Sequence, residues 1–332
     1  CLMGNPITCI ETPPFIEQTV QFVIKEHETN CQLDLYYNTT SFNDYDLLQR
    51  IEFLSQQIIQ GSNTLADLSL VFDDEREQQV NTWNNTAHNL PSFESVQQWF
   101  EKQVTLTPDN IAIIDDDASI TYQALNTRAN NIAHYLRSHG IKADTRVGLC
   151  MNRCIDALCA ILGIIKAGGA YVPIDASYPQ QRITYMLQNA DISFLFTQTK
   201  HTDLFTEFTG SIINIDDHSS AEYNAISQSP NDNPSHLQHS NDMLYVIFTS
   251  GSTGNPKGAI VTHAGELNLL QWYIEEFNFN ESTNNLIISA LGFDLTQKNL
   301  FAPLISGGKL ILSTLEHYDS GAIHQLIEKH AI

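Results

Sequence analysis

From residue 111 onward, short apolar runs alternate with helix-length amphipathic stripes. That alternation constrains the fold more than any other feature, because strands alternating with helices build sheets rich in parallel strands. Residues 111–114 are expected as the first strand. Residues 121–139 are expected as a helix, with Tyr122, Leu125, Ala129, Ile132, Ala133 and Leu136 on one stripe and Gly140 as a left-handed stop. A short strand around Val147 and a helix running into Gly168 and Gly169 follow, then apolar runs at 194–196 and 212–215 that read as buried strands. Residues 217–241, rich in Asp, Ser, Asn, His and Pro, are expected as a surface loop. Residues 244–248, 286–289 and 310–312 read as further strands, and the chain stops at Ile332 within a helical pattern.

The front of the chain reads differently. Leu33, Leu35 and Tyr37 alternate with Gln32, Asp34 and Tyr36, as in a strand with one buried face. A helix is expected next, capped by Asn43 or Asp44, with Leu47, Ile51, Leu54 and Ile58 at helical spacing and Gly61 as its stop. Residues 73–91 are polar without a sustained apolar period and read as a connector. A length of 332 residues fits two units.

Sixteen Lys and Arg against thirty-eight Asp and Glu leave a formal charge of -22. That charge repels phosphate backbones and anionic membrane surfaces, so neither nucleic acid nor a membrane is expected as a partner. The longest nearly uncharged apolar stretch, residues 157–165, falls far short of the roughly 20 residues that span a bilayer. The sequence opens at Cys1 without an initiator Met or a secretory-signal pattern, so its start is expected to be a cut. The six cysteines, Cys1, Cys9, Cys31, Cys150, Cys154 and Cys159, lack the density of a disulfide scaffold and fit a reducing cytoplasm. Cys150, Cys154 and Cys159 do not have zinc-site spacing and lie among Leu149, Met151, Leu158 and Ile161, so they are expected to pack in the core.

The chemistry is concentrated where the apolar strand at 244–248 feeds into Thr249, Ser250, Gly251, Ser252, Thr253, Gly254, Asn255, Pro256, Lys257 and Gly258. Glycines let successive amides point into one concavity, hydroxyls add donors, and Lys257 supplies positive charge, which together suit a polyphosphate. A Walker loop needs four residues between its glycines and Ser or Thr after its Lys. Here Gly251 and Gly254 enclose two residues, and Gly258 follows Lys257. A flexible Ser/Thr/Gly turn would not explain so particular an order directly after a buried strand.

Residues 244–263, LYVIFTSGSTGNPKGAIVTH, closely resemble the signature of the adenylate-forming enzymes. Residues 120–129, ITYQALNTRA, and 158–179, LCAILGIIKAGGAYVPIDASYP, resemble two earlier blocks of that family in its peptide-synthetase branch. Trp83, Asn84, Thr86, Pro108 and Asp109 are similar to the stretch leading into such adenylation domains. Residues 1–75, with LDLYYNTTSF and the following helix, look like the end of a condensation domain, without that domain's active-site motif of two His followed by Asp and Gly.

The resemblance implies an α/β fold: the N-terminal part of an adenylate-forming enzyme's large domain, with parallel-rich sheets flanked by helices. An α+β condensation-domain remnant would precede it, giving 1–75 as that remnant, 76–95 as linker and 96–332 as a truncated adenylation domain. It further implies that an amino-acid carboxylate attacks the α-phosphate of ATP, with Mg2+ on the phosphates, and that a phosphopantetheine thiol on a peptidyl carrier domain takes up the aminoacyl group. Thr249, Ser250, Ser252, Thr253 and Lys257 would hold the β- and γ-phosphates, Gly251 and Gly254 would let the backbone approach, and Thr249 and Lys257 would take part in catalysis.

Phe293, Asp294, Leu295 and Thr296, FDLT, resemble the floor of the family's amino-acid pocket. There Asp294 would meet the substrate's α-ammonium from an apolar wall made by Phe293 and Leu295. A carboxylate at a strand-to-helix turn also serves as a helix cap, and spacing alone leaves the two roles open. Leu295 and Lys298 fall at pocket-lining positions, where Lys298 either meets a polar or anionic side chain or is simply solvated. His263 is expected to be structural or exposed, His236 and His239 to be solvated, and Tyr171, Pro173 and Asp175 to be architecture around a turn. In the family, the half absent after Ile332 completes the pocket, so these 332 residues alone are not expected to turn over. Two other readings stand beside amino-acid activation: an adenylate-forming ligase for fatty or aryl acids, and a noncatalytic module.

Overall fold

A computed structural model of the protein describes residues 8–9, 21–26, 31–36, 44–61, 64–88, 92–116, 118–249, 256–315 and 318–332, with side chains from Gln49 onward. The chain divides into two compact units, Cys1–Asn89 and Leu90–Ile332. Among the described residues no helix is long and apolar enough to cross a membrane.

In the first unit, β3 (Cys31–Tyr36) lies between β1 (Thr8–Cys9), to which it runs parallel, and β2 (Gln21–Glu26), to which it runs antiparallel. The helix α1 (Asp44–Ile59) follows, and Gly61 takes φ +103 beyond it, as the stop signal requires. Tyr37 and Asn43 lie outside the described residues, as does the side chain of Leu47. The stretch expected as connector and linker is helical at α2 (Asp73–Glu77) and in a π-turn over Gln78–Thr82. Local polar chemistry makes this helix, which explains why apolar periodicity does not announce it. Asp73, Asp74 and Glu75 fill the first turn, where carboxylates suit the amide end of a helix. Glu75 accepts from Phe72 N at 3.1 Å and from Arg50 of α1 at 2.5 Å, and the Arg50 guanidinium lies 5.1 Å from the Phe72 ring centroid.

The second unit holds two sheets. The larger orders β11 (Lys257–Thr262), β10 (Met243–Thr249), β7 (Ala170–Pro173), β6 (Arg146–Cys150), β8 (Phe194–Thr197) and β9 (Ser211–Asn214), all parallel except the β11 edge. The smaller orders β12 (Asn284–Ile287), β13 (Lys309–Leu312), β4 (Ile111–Asp115) and β5 (Ala118–Thr121), with β5 antiparallel. Helices α3 (Val96–Leu106), α4 (Tyr122–Ser138), α5 (Ile155–Ala167), α6 (Gln180–Asn189), α7 (Ala221–Ser227), α8 (His263–Phe277), α9 (Asp294–Ser306) and α10 (Ser320–His330) complete it. The α/β architecture read from the alternation is therefore the one observed.

The stripe of α4 is buried at all six expected positions, Thr121 caps the helix by accepting from Ala124 N at 3.2 Å, and Gly140 has φ +89. By contrast α5 is buried all round, which places it inside the core rather than on its surface. The two helices meet at Gly163, where an added Cβ would lie 2.5 Å from Ile132 Cγ2 and 2.6 Å from Ile132 Cβ. Gly163→Ala is expected to destabilise the unit by about 1–3 kcal/mol through overpacking. The better helix propensity of Ala, about 1 kcal/mol, offsets only part of that. A urea midpoint equal to or above that of the parent would show that α4 yields and would refute the expectation.

Residues 217–241 are more than a surface loop. They contain α7, and their later part inserts polar side chains into the core edge. Gln238 is buried and donates to Ile165 O at 2.5 Å. Asn233 Oδ1 accepts from Asn126 at 2.9 Å, Asn130 at 3.0 Å and the fully buried Lys166 ammonium at 3.2 Å. Lys166 is also ion-paired with the buried Glu101 of α3, whose other oxygen faces His236 Nε2 at 3.3 Å, so His236 is not merely solvated. Burial pulls the Lys166 pKa below the usual lysine range while the Glu101 charge opposes that shift.

Candidate active site

Strand β10 presents Leu244, Tyr245, Val246, Ile247 and Phe248 to apolar surroundings on both faces and emerges at the exposed Thr249. Because β10 runs parallel to β7, Thr249 stands at the carboxyl edge of the sheet, where open α/β sheets bind ligands. The chain returns along β11 in a register that sets Lys257 directly opposite Thr249, whose hydroxyl lies 3.5 Å from Lys257 O. Ser250, Gly251, Ser252, Thr253 and Gly254 lie outside the described residues. The two ends of the phosphate-loop sequence are thus brought together at a sheet edge. A Cβ on Gly258 would stand 3.0 Å from Val246 Cγ1, a tight contact where the strands close up.

The second part of the site is the head of α9. Thr296 Oγ1 lies 2.7 Å from Ser289 Oγ and donates to Ala290 O at 2.9 Å. Gln297 donates to Leu291 O at 2.7 Å and Phe293 O at 2.8 Å, and its Oε1 accepts from Tyr171 of β7 at 2.5 Å. The turn before Asp294 is thereby stapled by two side chains of the helix it precedes and tied to the larger sheet. Asp294 is the first helical residue, is exposed, and accepts from Leu295 N at 2.7 Å. The apolar wall expected around it is not formed: Phe293 is 62% and Leu295 68% exposed. The buried side of α9 is instead made by Thr296, Gln297, Leu300, Phe301 and Leu304, which turns the residues at 293–295 outward. Lys298 is partly buried, with its ammonium 5.2 Å from the Tyr273 ring centroid, a cation–π placement rather than full solvation.

Beneath these residues is a buried pair that sequence reasoning missed. Tyr245 of β10 donates to Glu266 Oε2 of α8 at 3.1 Å, while Glu266 Oε1 is buried without a hydrogen-bond partner among the described residues. Burial pushes the Glu266 carboxyl up to about 7, against the hydrogen bond from Tyr245 and the charge of Lys298. Burial and then Glu266 push the Tyr245 phenol far above its ordinary value, and Asp294 adds to this. The signal was available: His263, Glu266, Leu267 and Leu270 form the buried stripe of α8, and a carboxylate on such a stripe departs from the usual pattern.

His263 is fully buried, accepts from Val96 N at 3.3 Å through Nδ1, and is held down to about 4 by burial, so it is a neutral structural group. Tyr171 is buried in β7, and Asp175 Oδ1 accepts from Ser177 N at 2.8 Å in a local turn, in keeping with architecture. Cys150 and Cys159 are buried, Cys154 partly so, and burial raises their thiols to about 12, 12 and 11 in turn. Among the described residues no three His, Cys, Asp or Glu side chains gather as a metal cage.

The family model described as AMP-binding enzyme matches residues 100–332. Tyrocidine synthase 3 of Brevibacillus parabrevis is 34% identical over 286 residues, covering 86% of this chain and 4% of that protein. Gramicidin S synthase 2 of Brevibacillus brevis is 30% identical over 320 residues, covering 94% of this chain and 7% of that protein. The chain therefore spans only a small part of the curated relatives it matches. A crystal structure of the nonribosomal peptide synthetase FmoA3 superposes with a TM-score of 0.82 at 24% identity, over 95% of this chain and 33% of that one. The N-terminal subdomain of Klebsiella oxytoca NpsA in complex with 3-hydroxyanthranilyl-AMSN gives 0.64 at 20% identity, over 75% and 61%. These two likenesses are of fold. With the two ends of the phosphate-loop sequence at the sheet edge and the family model matching residues 100–332, the chain belongs to the AMP-binding enzyme family.

Proposed function

We propose that this chain activates an amino acid with ATP within a cytoplasmic nonribosomal peptide synthetase. An amino-acid carboxylate oxygen bonds to the α-phosphorus, pyrophosphate leaves, and an aminoacyl-AMP forms. The thiol of a phosphopantetheine on a peptidyl carrier domain then attacks the acyl carbon, giving an aminoacyl thioester and AMP. Thr249 and Lys257, with Ser250, Gly251, Ser252, Thr253 and Gly254 between them, hold the β- and γ-phosphates by amides, hydroxyls and one positive charge. Mg2+ would accompany the triphosphate oxygens and offset part of their charge. Asp294 takes the substrate ammonium, and Leu295 and Lys298 line the way to its side chain. Residues 1–75 are the end of the adjacent condensation domain.

The carrying observation is Thr249 opposite Lys257 at the carboxyl edge of the larger sheet, together with Asp294 heading α9 after a turn that Gln297 staples. The test is exchange of labelled pyrophosphate into ATP by the full-length protein carrying this chain, across amino, fatty and aryl acids. Exchange driven by one or a few amino acids is expected. Exchange driven only by acids without an amino group would move the function to a fatty- or aryl-acid ligase, and no exchange with any acid would leave a noncatalytic module.

A further inference from the structure

We propose that Tyr171 and Gln297 form a positioning pair for the amino-acid site, tying the turn that carries Asp294 to the strands that deliver Thr249. This rests on the reading of Asp294 as the anchor of the substrate ammonium.

Three hydrogen bonds meet at Gln297, which is fully buried on α9. Its amide nitrogen donates to Leu291 O at 2.7 Å and to Phe293 O at 2.8 Å, and its Oε1 accepts from the Tyr171 hydroxyl at 2.5 Å. Only the nitrogen of an amide can serve two carbonyls, so the oxygen faces β7 and Tyr171 is the donor. Every hydrogen of both polar groups is thereby used, as full burial requires. The two carbonyls belong to the turn immediately before Asp294. Tyr171 stands opposite Tyr245 of β10, with ring centroids 5.5 Å apart, and its ring lies 6.4 Å from that of Phe301, one turn further along α9. From Tyr245 the strand runs four more residues to Thr249, roughly 13 Å at the usual rise. An unbroken series of contacts therefore joins the Asp294 turn to the strand that ends at the phosphate-loop sequence.

The turn does not need Tyr171 in order to close. Gln297 already bonds Leu291 and Phe293, and Thr296 donates to Ala290 O at 2.9 Å. What the Tyr171 hydroxyl adds is a fixed distance between that turn and the larger sheet. Adenylate formation makes this distance matter, because a substrate held by its ammonium must bring its carboxylate to the α-phosphorus. A misplacement of about 1 Å, caused away from the reacting atoms, can cost as much as about 100-fold in rate. Tyr171 and Gln297 act through Asp294 and β10, not by touching substrate.

The experiment is pyrophosphate exchange by the full-length protein carrying Tyr171→Phe, which removes one hydroxyl and leaves the bonds of Gln297 to Leu291 and Phe293. The kcat/KM for the preferred amino acid is expected to fall by about three- to ten-fold, the scale of one lost hydrogen bond, while the KM for ATP holds. In an Asp294→Ala background Tyr171→Phe should add little, because the turn then has no anchor to position. Gln297→Asn keeps the amide but is one methylene too short to bridge turn and strand, so it should act as Tyr171→Phe does and serves as the test should that variant not fold. Without substrate, backbone amides of residues 291–297 should exchange hydrogen faster in either variant than in the parent. Unchanged exchange there overturns the proposal, as does a loss that adds fully to that of Asp294→Ala or that falls equally on ATP. If Asp294→Ala is costly and both positioning variants are harmless, the proposal alone has failed. If Asp294→Ala leaves amino-acid kinetics unchanged, the ammonium reading has failed first and the proposal falls with it.

Discussion

Glu101→Ala is expected to destabilise the larger unit by about 3–5 kcal/mol, the usual result of removing one partner from a buried ion pair. Lys166 is fully buried and Glu101 is 8% exposed, so deleting the carboxylate strands an ammonium whose remaining acceptor is Asn233 Oδ1 at 3.2 Å. Asn233 in turn serves Asn126 and Asn130, so the loss propagates to the segment that joins α7 to β10. Linkage fixes the pH dependence. Burial already lowers the Lys166 pKa, and without Glu101 it falls further. The unfolded chain then binds more protons than the folded one, so stability rises with pH up to the unfolded lysine value of about 10.4. The deficit of Glu101→Ala relative to the parent should therefore be smaller at about pH 10 than at about pH 7. The double variant Glu101→Leu with Lys166→Met should recover most of the loss, because apolar residues of similar size commonly replace such pairs at little cost. Urea midpoints at unchanged m-value decide the matter. A loss below about 1 kcal/mol would mean that the pair behaves as a hydrated surface contact.

The pair also shows where reading the sequence stops. Apolar periodicity marks α4 and β10 because one kind of contact dominates them: Tyr122, Leu125 and Leu136 are all fully buried, as is Leu244. It does not mark α3, where Val96, Phe100 and Val104 recur every four residues but share the buried side with Gln97, Glu101 and Gln103. Glu101 among them is satisfied by Lys166, and no local pattern announces a partner 65 positions away. Residues 217–241 fail for the same reason, since Asn233 and Gln238 look like loop residues until the core they reach is assembled. The helical turns at Asp73–Glu77 arise from carboxylates at a helix start and from Arg50, which are again polar and partly non-local.

At the candidate site, position was legible and environment was not. A strand running into a glycine-rich segment puts Thr249 at the sheet edge, whereas the antiparallel return of β11 that sets Lys257 opposite Thr249 was not read from the sequence. Asp294 at a strand-to-helix turn was as readable as Thr249. The apolar wall was not, because α9 rotates Phe293 and Leu295 outward as Thr296 and Gln297 staple the preceding turn. Helix phase at a first turn is set by such side-chain bonds to the backbone, and a four-residue motif does not contain it.

Asp294→Ala should raise the amino-acid KM about 10- to 100-fold, the loss expected for a charge-assisted hydrogen bond, while the ATP KM holds. Asp294 has two possible duties; locally it is not the cap, since Phe293 holds that position without a side-chain bond, but a first-turn carboxylate that accepts from Leu295 N at 2.7 Å. A carboxylate in the first turn of a helix contributes about 0.3–1 kcal/mol, so Asp294→Ala should move stability by no more than that. Asp294→Asn separates the duties, since Asn retains a local acceptor but no charge. If Asp294 meets the ammonium, Asn and Ala lose amino-acid affinity alike, though Asn keeps more stability. If Asp294 only secures α9, Asn restores both. A double cycle closes the argument by pairing each variant with the substrate's deamino analogue, the same acid with hydrogen in place of the amino group. The parent should lose affinity for that analogue, whereas Asp294→Ala should treat the two acids nearly alike, because the partner of the ammonium is gone. Losses that simply add would mean that the ammonium and Asp294 never meet, and the carboxylate would then be a helix-start residue alone.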